Sequence, residues 1–296
     1  MAAIIEDTYC EAFDGLYSRL LITARDKKLL QRAAFSSTAL PLTVLGQSEG
    51  GIEKWLSKKQ TPDGRVGALI QIWILGGESA VKTLEVELGK RIRQGILVVP
   101  TTAVLNAINS EKKIDIMDKV GHCGDGYEWE EEYFGRKVIN VPIMMGHDFK
   151  IERYLGYAKG IMGGNIWFFC TSVNAALKAG EKAVKAIEKI EGAITSFDIC
   201  SAGSKPETKY PEIGPTTNHP YCPTLKPKLG SESKVPDGIK SIPEIVINGI
   251  TIEAVKQAMK EAIKAGINTP GVVKISAGNY GGKLGKHKIY LRELMN

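Results

Sequence analysis

A chain of 296 residues, 43% hydrophobic and 24% charged, has an ordinary globular composition and the length for two domains of about 100–150 residues. Disorder, collagen-like repeats and coiled coil are excluded as descriptions of the whole. Lys+Arg 39 against Asp+Glu 33 leaves a net charge of +6 spread along the chain, compatible with small polyanionic substrates and too diffuse for a nucleic-acid partner.

No apolar run reaches the roughly 18–20 residues that span a bilayer, and Met1–Asp7 lacks the basic and apolar regions of a signal peptide. The chain therefore reads as cytoplasmic, with no membrane partner.

Leu16–Ala24 alternates as a strand, and Asp26–Ser37 places Leu29, Leu30, Ala33 and Ala34 on one helical face. Leu40–Leu45 reads as a second strand, followed by a turn-rich stretch containing Thr61-Pro62-Asp63-Gly64. Val66–Leu75 is a near-continuous apolar strand, Glu78–Gln94 an amphipathic helix, and Gly95–Pro100 a short buried strand. Between Thr101 and Phe149 a helix and a β-rich segment around Gly124-Asp125-Gly126-Tyr127 are expected.

The order then repeats. Gly160–Asn165 reads as a turn into the strand Asn165–Ser172, and Asn174 as the N-cap of a helix Ala175–Ile190. Strands at Ala193–Phe197 and Ile242–Asn248 follow. Thr251 caps a helix Ile252–Ala265 with Gly266 just past its end, and Gly271–Ala277 closes the repeat. The predicted class is α+β: two ferredoxin-like (βαββαβ) lobes with insertions. Residues 1–147 carry a β-rich insertion, and residues 148–296 carry a Pro-rich loop, 200–241, holding seven of the chain's 13 prolines. A long irregular insertion of this kind is usually functional or disordered, and Asn218, His219 and Tyr221 favour a binding loop.

Five cysteines without a C-x-x-C pair, and four histidines without H-x-x-H spacing, give no metal site. Glu244 begins an otherwise apolar strand. Either it faces outward at the strand's exposed start, or it is buried, in which case its pKa rises and the neutral acid can donate to a developing oxyanion. Ser276–Lys286 is a Gly-rich hairpin or a ligand loop in which Asn279, Lys283 and Lys286 add donors; it lacks the order of a P-loop. In Ile5–Phe13 the carboxylates Glu6, Asp7 and Glu11 either line a cleft or end strands in salt bridges. The run Glu128, Glu130, Glu131, Glu132 reads as a solvated face. Trp167, Phe168 and Phe169 are consecutive, so they point to both faces and read as core rather than as an RNA-stacking platform.

Ile5–Phe13 (IEDTYCEAF), Thr61–Gly64 (TPDG), Gly124–Tyr127 (GDGY), Glu244–Gly249 (EIVING) and Pro270–Lys286 (PGVVKISAGNYGGKLGK) resemble formylmethanofuran–tetrahydromethanopterin N-formyltransferase. The similarity runs in order from Ile5 to Leu294. It implies an acyltransferase of one-carbon metabolism and methanogenesis that moves a formyl group reversibly from formylmethanofuran to N5 of tetrahydromethanopterin. Methanofuran and tetrahydromethanopterin are then C1-carrier substrates, and no metal or prosthetic group is bound permanently. The resemblance further implies two ferredoxin-like lobes, a homotetramer, and Glu244 as the catalytic glutamate. Because both carriers are polyanionic, Lys274, Lys283, Lys286 and the backbone of Gly281 and Gly282 become candidate substrate contacts. Asn279 and Tyr280 would orient polar groups; Asp7, Glu11, Tyr127, Asn218 and Tyr221 complete the set. Two alternatives stand beside this reading: a formyltransferase subunit of a formyltransferase/hydrolase complex, and a ligand-binding homologue without turnover.

Overall fold

The protein is described by a computed structural model that covers residues 3–39, 48–205 and 207–296. Its mixed α+β chain forms two compact units, one of Met1–Asp14 with Ile161–Asn296 and one of Gly15–Gly160. The short strand β1 (Ile4–Ile5) and the first six residues of β2 (Tyr9–Ala24) belong to the former; β2 enters the latter at Gly15.

In Gly15–Gly160, β2 leads into α1 (Lys27–Thr38), where the Asp26 side chain accepts from the Leu29 amide at 3.0 Å and caps the first turn. β3 (Ser48–Leu56), β4 (Val66–Leu75), α2 (Ala80–Arg91) and β5 (Ala103–Asn106) follow. Pairing is antiparallel throughout, in the order β5–β2–β4–β3. β4 can be apolar at all but Gln71 because it is paired on both edges and buried on both faces. Ile70, Ile72 and Ile74 pack with Leu30, Ala33, Leu84 and Leu88 under the helices. On the opposite face the Trp73 indole donates to Gln71 at 2.8 Å and stacks on Tyr17 at 4.7 Å.

Several expectations are corrected here. The expected strand Leu40–Leu45 lies outside the described residues. The strand β3 occupies Ser48–Leu56, whose glycines read as a turn; a Cβ on Gly50 would stand 2.9 Å from Ile72 and 3.1 Å from the Thr38 backbone, so the strand needs a glycine to pass under α1. Gly95–Pro100 is no strand: Ile92–Leu97 extends α2 as a π-helical turn, with Gly95 against the Ser37 backbone. A short apolar run serves a buried helix as well as a strand, and periodicity alone does not separate them.

The helix expected within 101–149 is also replaced. Beyond one 3-10 turn at Gly121–Gly124, that segment is β6 (Lys113–Asp115), β7 (Trp129–Tyr133), β8 (Arg136–Ile143) and β9 (His147–Glu152), with β10 (Tyr154–Gly156) next. β7, β8 and β9 form an antiparallel meander, β9 runs parallel to β5, and β10 pairs with β6. The acidic residues on β7 are ion-paired on both faces of the strand: Glu130 contacts Lys137 at 2.6 Å and also Arg153, and Glu131 meets Lys150 at 2.5 Å.

The other unit takes up β11 (Ala158–Cys170) from Ile161 onward, then α3 (Val173–Ile187) and β12 (Ala193–Thr195). The Pro-rich segment contributes short 3-10 turns, β13 (Ser204–Lys205), β14 (Thr216–Thr217) and the single turn α4 (Lys226–Leu229). β15 (Glu244–Gly249), α5 (Ile252–Ile267), β16 (Val272–Ser276) and β17 (His287–Tyr290) complete the chain. Again the antiparallel order is β16–β11–β15–β12, with β1 parallel on the far edge of β16 and β17 antiparallel to Tyr9–Ala12.

α3 and α5 lie over Phe168, Ile245 and Ile247 on small residues, Ala175, Ala176, Ala179 and Ala183 from one and Ala258 and Ala262 from the other. Gly266, expected beyond α5, is inside it, where a Cβ would stand 2.4 Å from Phe168. Ser172, not Asn174, caps α3, because its backbone is extended and its hydroxyl accepts from the Ala175 amide at 3.1 Å. Gly160–Asn165 is not a turn but a bulged part of β11. Among the described residues no helix is long and apolar enough to cross a membrane.

Candidate active site

Strand register builds the site. Trp167 on β11 lies opposite Glu244 on β15 and Ser276 on β16, so these side chains share one face of the sheet, while Phe168 points into the helical core. On that face the Trp167 indole donates to Glu244 Oε1 at 2.9 Å. Glu244 is 8% exposed, which decides between the two readings of its strand position: the side chain is buried. Burial pushes its carboxyl above the ordinary glutamate range; the Trp167 indole and the Cys200 side chain oppose that rise and are outweighed. Cys200 is fixed alongside by a two-way backbone bridge, its amide donating to the Glu244 carbonyl at 2.8 Å and the Glu244 amide returning 3.0 Å.

Glu244 and Trp167 wall a cavity of about 300 Å³ whose other side is the Pro-rich segment, with Asn218, Tyr221 and Cys222. Tyr221 sets its ring edgewise on Trp167 at 4.7 Å and on Phe169 at 6.3 Å. Together with Val235 and Ile239 these rings make a small apolar cluster. The insertion is thus anchored on the sheet by its aromatic and aliphatic residues, and its polar residues are left along the cavity. Val173, Ala176, Leu177 and Ile199 give the cavity an apolar wall beside the Glu244 carboxyl.

The Gly-rich segment has turned its donors inward. Glu11 on β2, 1% exposed, accepts from the amides of Tyr280 and Gly282 on Oε1, both at 2.6 Å. Leu284 at 2.9 Å and Gly285 at 2.8 Å donate to Oε2. The Gly281 amide is 3.3 Å from Asn279 Oδ1. Of the two glycine amides expected to meet substrate charge, that of Gly282 is taken by Glu11 and that of Gly281 faces Asn279. Burial alone would raise the Glu11 carboxyl, but the four amides overcome it and hold the group below the glutamate range.

The remaining candidates divide. Asn279 donates to Thr8 at 3.1 Å, and the Tyr280 hydroxyl reaches the Ser204 carbonyl at 3.3 Å. Burial raises the Tyr280 phenol. Lys274 pairs with Glu6 at 2.9 Å and lies 4.2 Å over the Phe169 ring. Lys286 pairs with Asp14 at 2.9 Å, and Asp7 meets Arg292 at 3.4 Å. Lys283 is exposed and forms no ion pair among the described residues. Tyr127, 78% exposed, belongs to the Gly15–Gly160 unit, whereas all the other candidates belong to the unit that contains Glu244.

Trp167 and Cys200 are the site residues that sequence reasoning missed. Trp167 was indistinguishable from its core neighbour Phe168 until the β11–β15 register was known; Cys200 has no local signal at all. Among the described residues no group of three or more His, Cys, Asp or Glu is arranged to hold a metal ion.

Residues 1–143 match a family profile described as formylmethanofuran-tetrahydromethanopterin formyltransferase, and residues 147–294 match one described as FTR, proximal lobe. A formyltransferase-like protein of Archaeoglobus fulgidus is 64% identical, covering 98% of this chain and 96% of its own. Methanothermobacter thermautotrophicus has both a formyltransferase-like relative, 52% identical, and a formylmethanofuran–tetrahydromethanopterin formyltransferase, 44% identical over 98% of this chain and 97% of its own. Among solved structures, the Methanosarcina barkeri formyltransferase superposes with a TM-score of 0.89 at 43% identity, covering 99% of this chain and 98% of that one. A chain of the formyltransferase/hydrolase complex (FhcABCD) from Methylorubrum extorquens, solved with methylofuran, gives 0.88 at 33% identity over 99% and 96%. The chain belongs to the formylmethanofuran–tetrahydromethanopterin formyltransferase family.

Proposed function

We propose that this chain transfers a formyl group reversibly from formylmethanofuran to N5 of tetrahydromethanopterin, with Glu244 as its catalytic acid. The observation that carries the reading is the buried Glu244 carboxyl, held by the Trp167 indole at the wall of the cleft. N5 is a weakly basic amine, unprotonated near neutrality, and attacks the formyl carbon without a strong base. As the new C–N bond forms, the carbonyl oxygen becomes an oxyanion that accepts from protonated Glu244. Collapse expels the methanofuran amine, and the proton released by N5 passes to that leaving nitrogen, with Glu244 giving and retaking its own. Holding both carriers in one cleft supplies proximity, so no acyl-enzyme is needed.

Glu244→Ala removes the donor and should lower kcat about 10²–10³-fold. Glu244→Gln keeps a neutral donor without a transferable proton and should fall between Ala and wild type. The assay is spectrophotometric formyl transfer with purified chain and both carriers, and near-normal turnover in the Ala variant would remove Glu244 from the mechanism.

Both units are read as ferredoxin-like lobes, supported by the same antiparallel order of their four principal strands. Asn218, Tyr221, Asn279, Tyr280 and Lys283 remain proposed substrate contacts. The proposed assembly is a cytoplasmic homotetramer, measurable by light scattering, with no permanently bound cofactor. A second reading, a subunit working inside a formyltransferase/hydrolase complex, is favoured by the match to the Methylorubrum extorquens complex. Transfer by the isolated chain decides between them.

A further inference from the structure

Glu11 carries a buried charge, and among the described residues no cation is ion-paired with it. Such a charge is tolerated only when its lone pairs are filled, and here four backbone amides fill them. Converging amides of this kind require left-handed backbone, and Gly281 (φ 70°) and Gly282 (φ 74°) provide it. With both oxygens doubly occupied, Glu11 has no capacity left to accept from a substrate.

The segment it ties down reaches the acid. Gly278, at the root of the loop, donates its amide to Asn165 Oδ1 at 2.6 Å, and its backbone lies so close to the Trp167 ring that a Cβ would stand 2.7 Å from Cζ2. Trp167 in turn donates to Glu244. Two residues on, the segment begins with Tyr280, whose hydroxyl touches the Ser204 carbonyl of the Pro-rich insertion.

We propose that Glu11 is a positioning residue: by gathering the amides of residues 280–285 it braces the Trp167 indole and, through it, the Glu244 carboxyl. The proposal rests on the functional reading above for its effect on turnover, but not for the physical coupling it asserts.

Amide hydrogen exchange on the wild-type protein comes first. Peptides covering residues 280–285 should be protected although the segment is neither helix nor strand; exchange at open-loop rates overturns the proposal. In Glu11→Gln the side-chain amide offers one accepting oxygen and presents its NH₂ to two N–H groups, so at least two of the four bonds are lost. Exchange in 280–285 should then rise at least tenfold, and the near-UV circular dichroism assigned to Trp167 by subtraction of Trp167→Phe should change.

A displacement of about 1 Å at a reacting group can cost up to about 10²-fold. We therefore expect kcat to drop about tenfold or more, beside any rise in KM that comes from the proposed contacts Asn279, Tyr280 and Lys283 on the same loop. Unchanged kcat, whatever the KM, would overturn the proposal, as would wild-type exchange and Trp167 signal in Glu11→Gln. Glu11→Asp, which keeps the charge and shortens the reach, supplies the same readouts if the Gln variant does not fold. If the wild type fails to transfer formyl groups, the functional reading falls while the exchange and dichroism results still decide the role of Glu11.

Discussion

Glu244 and Glu11 are both almost wholly buried, yet their surroundings drive their protons in opposite directions. A carboxyl raised in the folded state binds its proton more tightly there than in the unfolded chain. Its contribution to stability is therefore complete below the ordinary glutamate range and is lost as pH rises through the raised value. For Glu11, lowered by its amides, the contribution is present above the ordinary range and is lost as pH falls through the depressed value. Melting temperature followed against pH should accordingly show an alkaline decline that Glu244→Gln flattens and an acid decline that Glu11→Gln flattens. Turnover that depends on protonated Glu244 should fall with the same alkaline limb. The type and position of Glu244 were legible in EIVING, but its direction was not, because facing depends on which strand edge meets β11. Glu11 shows the limit more sharply: the Gly-rich loop looked like an anion site, and it is one, but its anion comes from 269 or more residues earlier in the chain.

Helix starts follow from backbone shape as well as residue type. Ser172 and Asn174 are both accepted cap residues, and only Ser172 has the extended backbone (φ −156°) that lets its oxygen turn back onto the first turn. Ser172→Ala should cost about 1 kcal/mol in chemical denaturation, while Asn174→Ala, inside the helix, should change stability by no more than about 0.5 kcal/mol. A larger loss at Asn174 would contradict the cap assignment. The long strands and helices of both repeats could be read from periodicity, since each buries one face over ten or more residues. β3 and the Ile92–Leu97 turn escaped because their glycines mark close packing, Gly50 against Ile72 and Gly95 against Ser37, rather than chain reversal.

Across the molecule, the net charge of +6 includes lysines that are already engaged. Lys274 and Lys286 have carboxylate partners, which leaves Lys283 as the cation of the Gly-rich segment without an ion pair among the described residues. If polyanionic carriers are drawn by this charge, KM should rise with ionic strength as the Debye length shrinks from about 10 Å at 0.1 M to about 3 Å at 1 M. Lys283→Ala should raise KM a few-fold at low salt and weaken that salt dependence, with kcat unchanged. A KM insensitive to both would limit the charge to a role in solubility.

The discontinuous unit carries a consequence in time. Its first strands, Ile4–Ile5 and Tyr9–Ala12, pair with residues 274–275 and 287–290. During synthesis those partners emerge only after the whole Gly15–Gly160 unit and most of the second one, a wait of roughly tens of seconds at translation speeds of about 5–20 residues per second. Throughout that interval the amides and carbonyls of these strands are paired with water, and Glu11 awaits the amides that fill its lone pairs. Pairing of Ile4–Ile5 and Tyr9–Ala12 with residues 274–275 and 287–290 therefore follows the synthesis of everything between them.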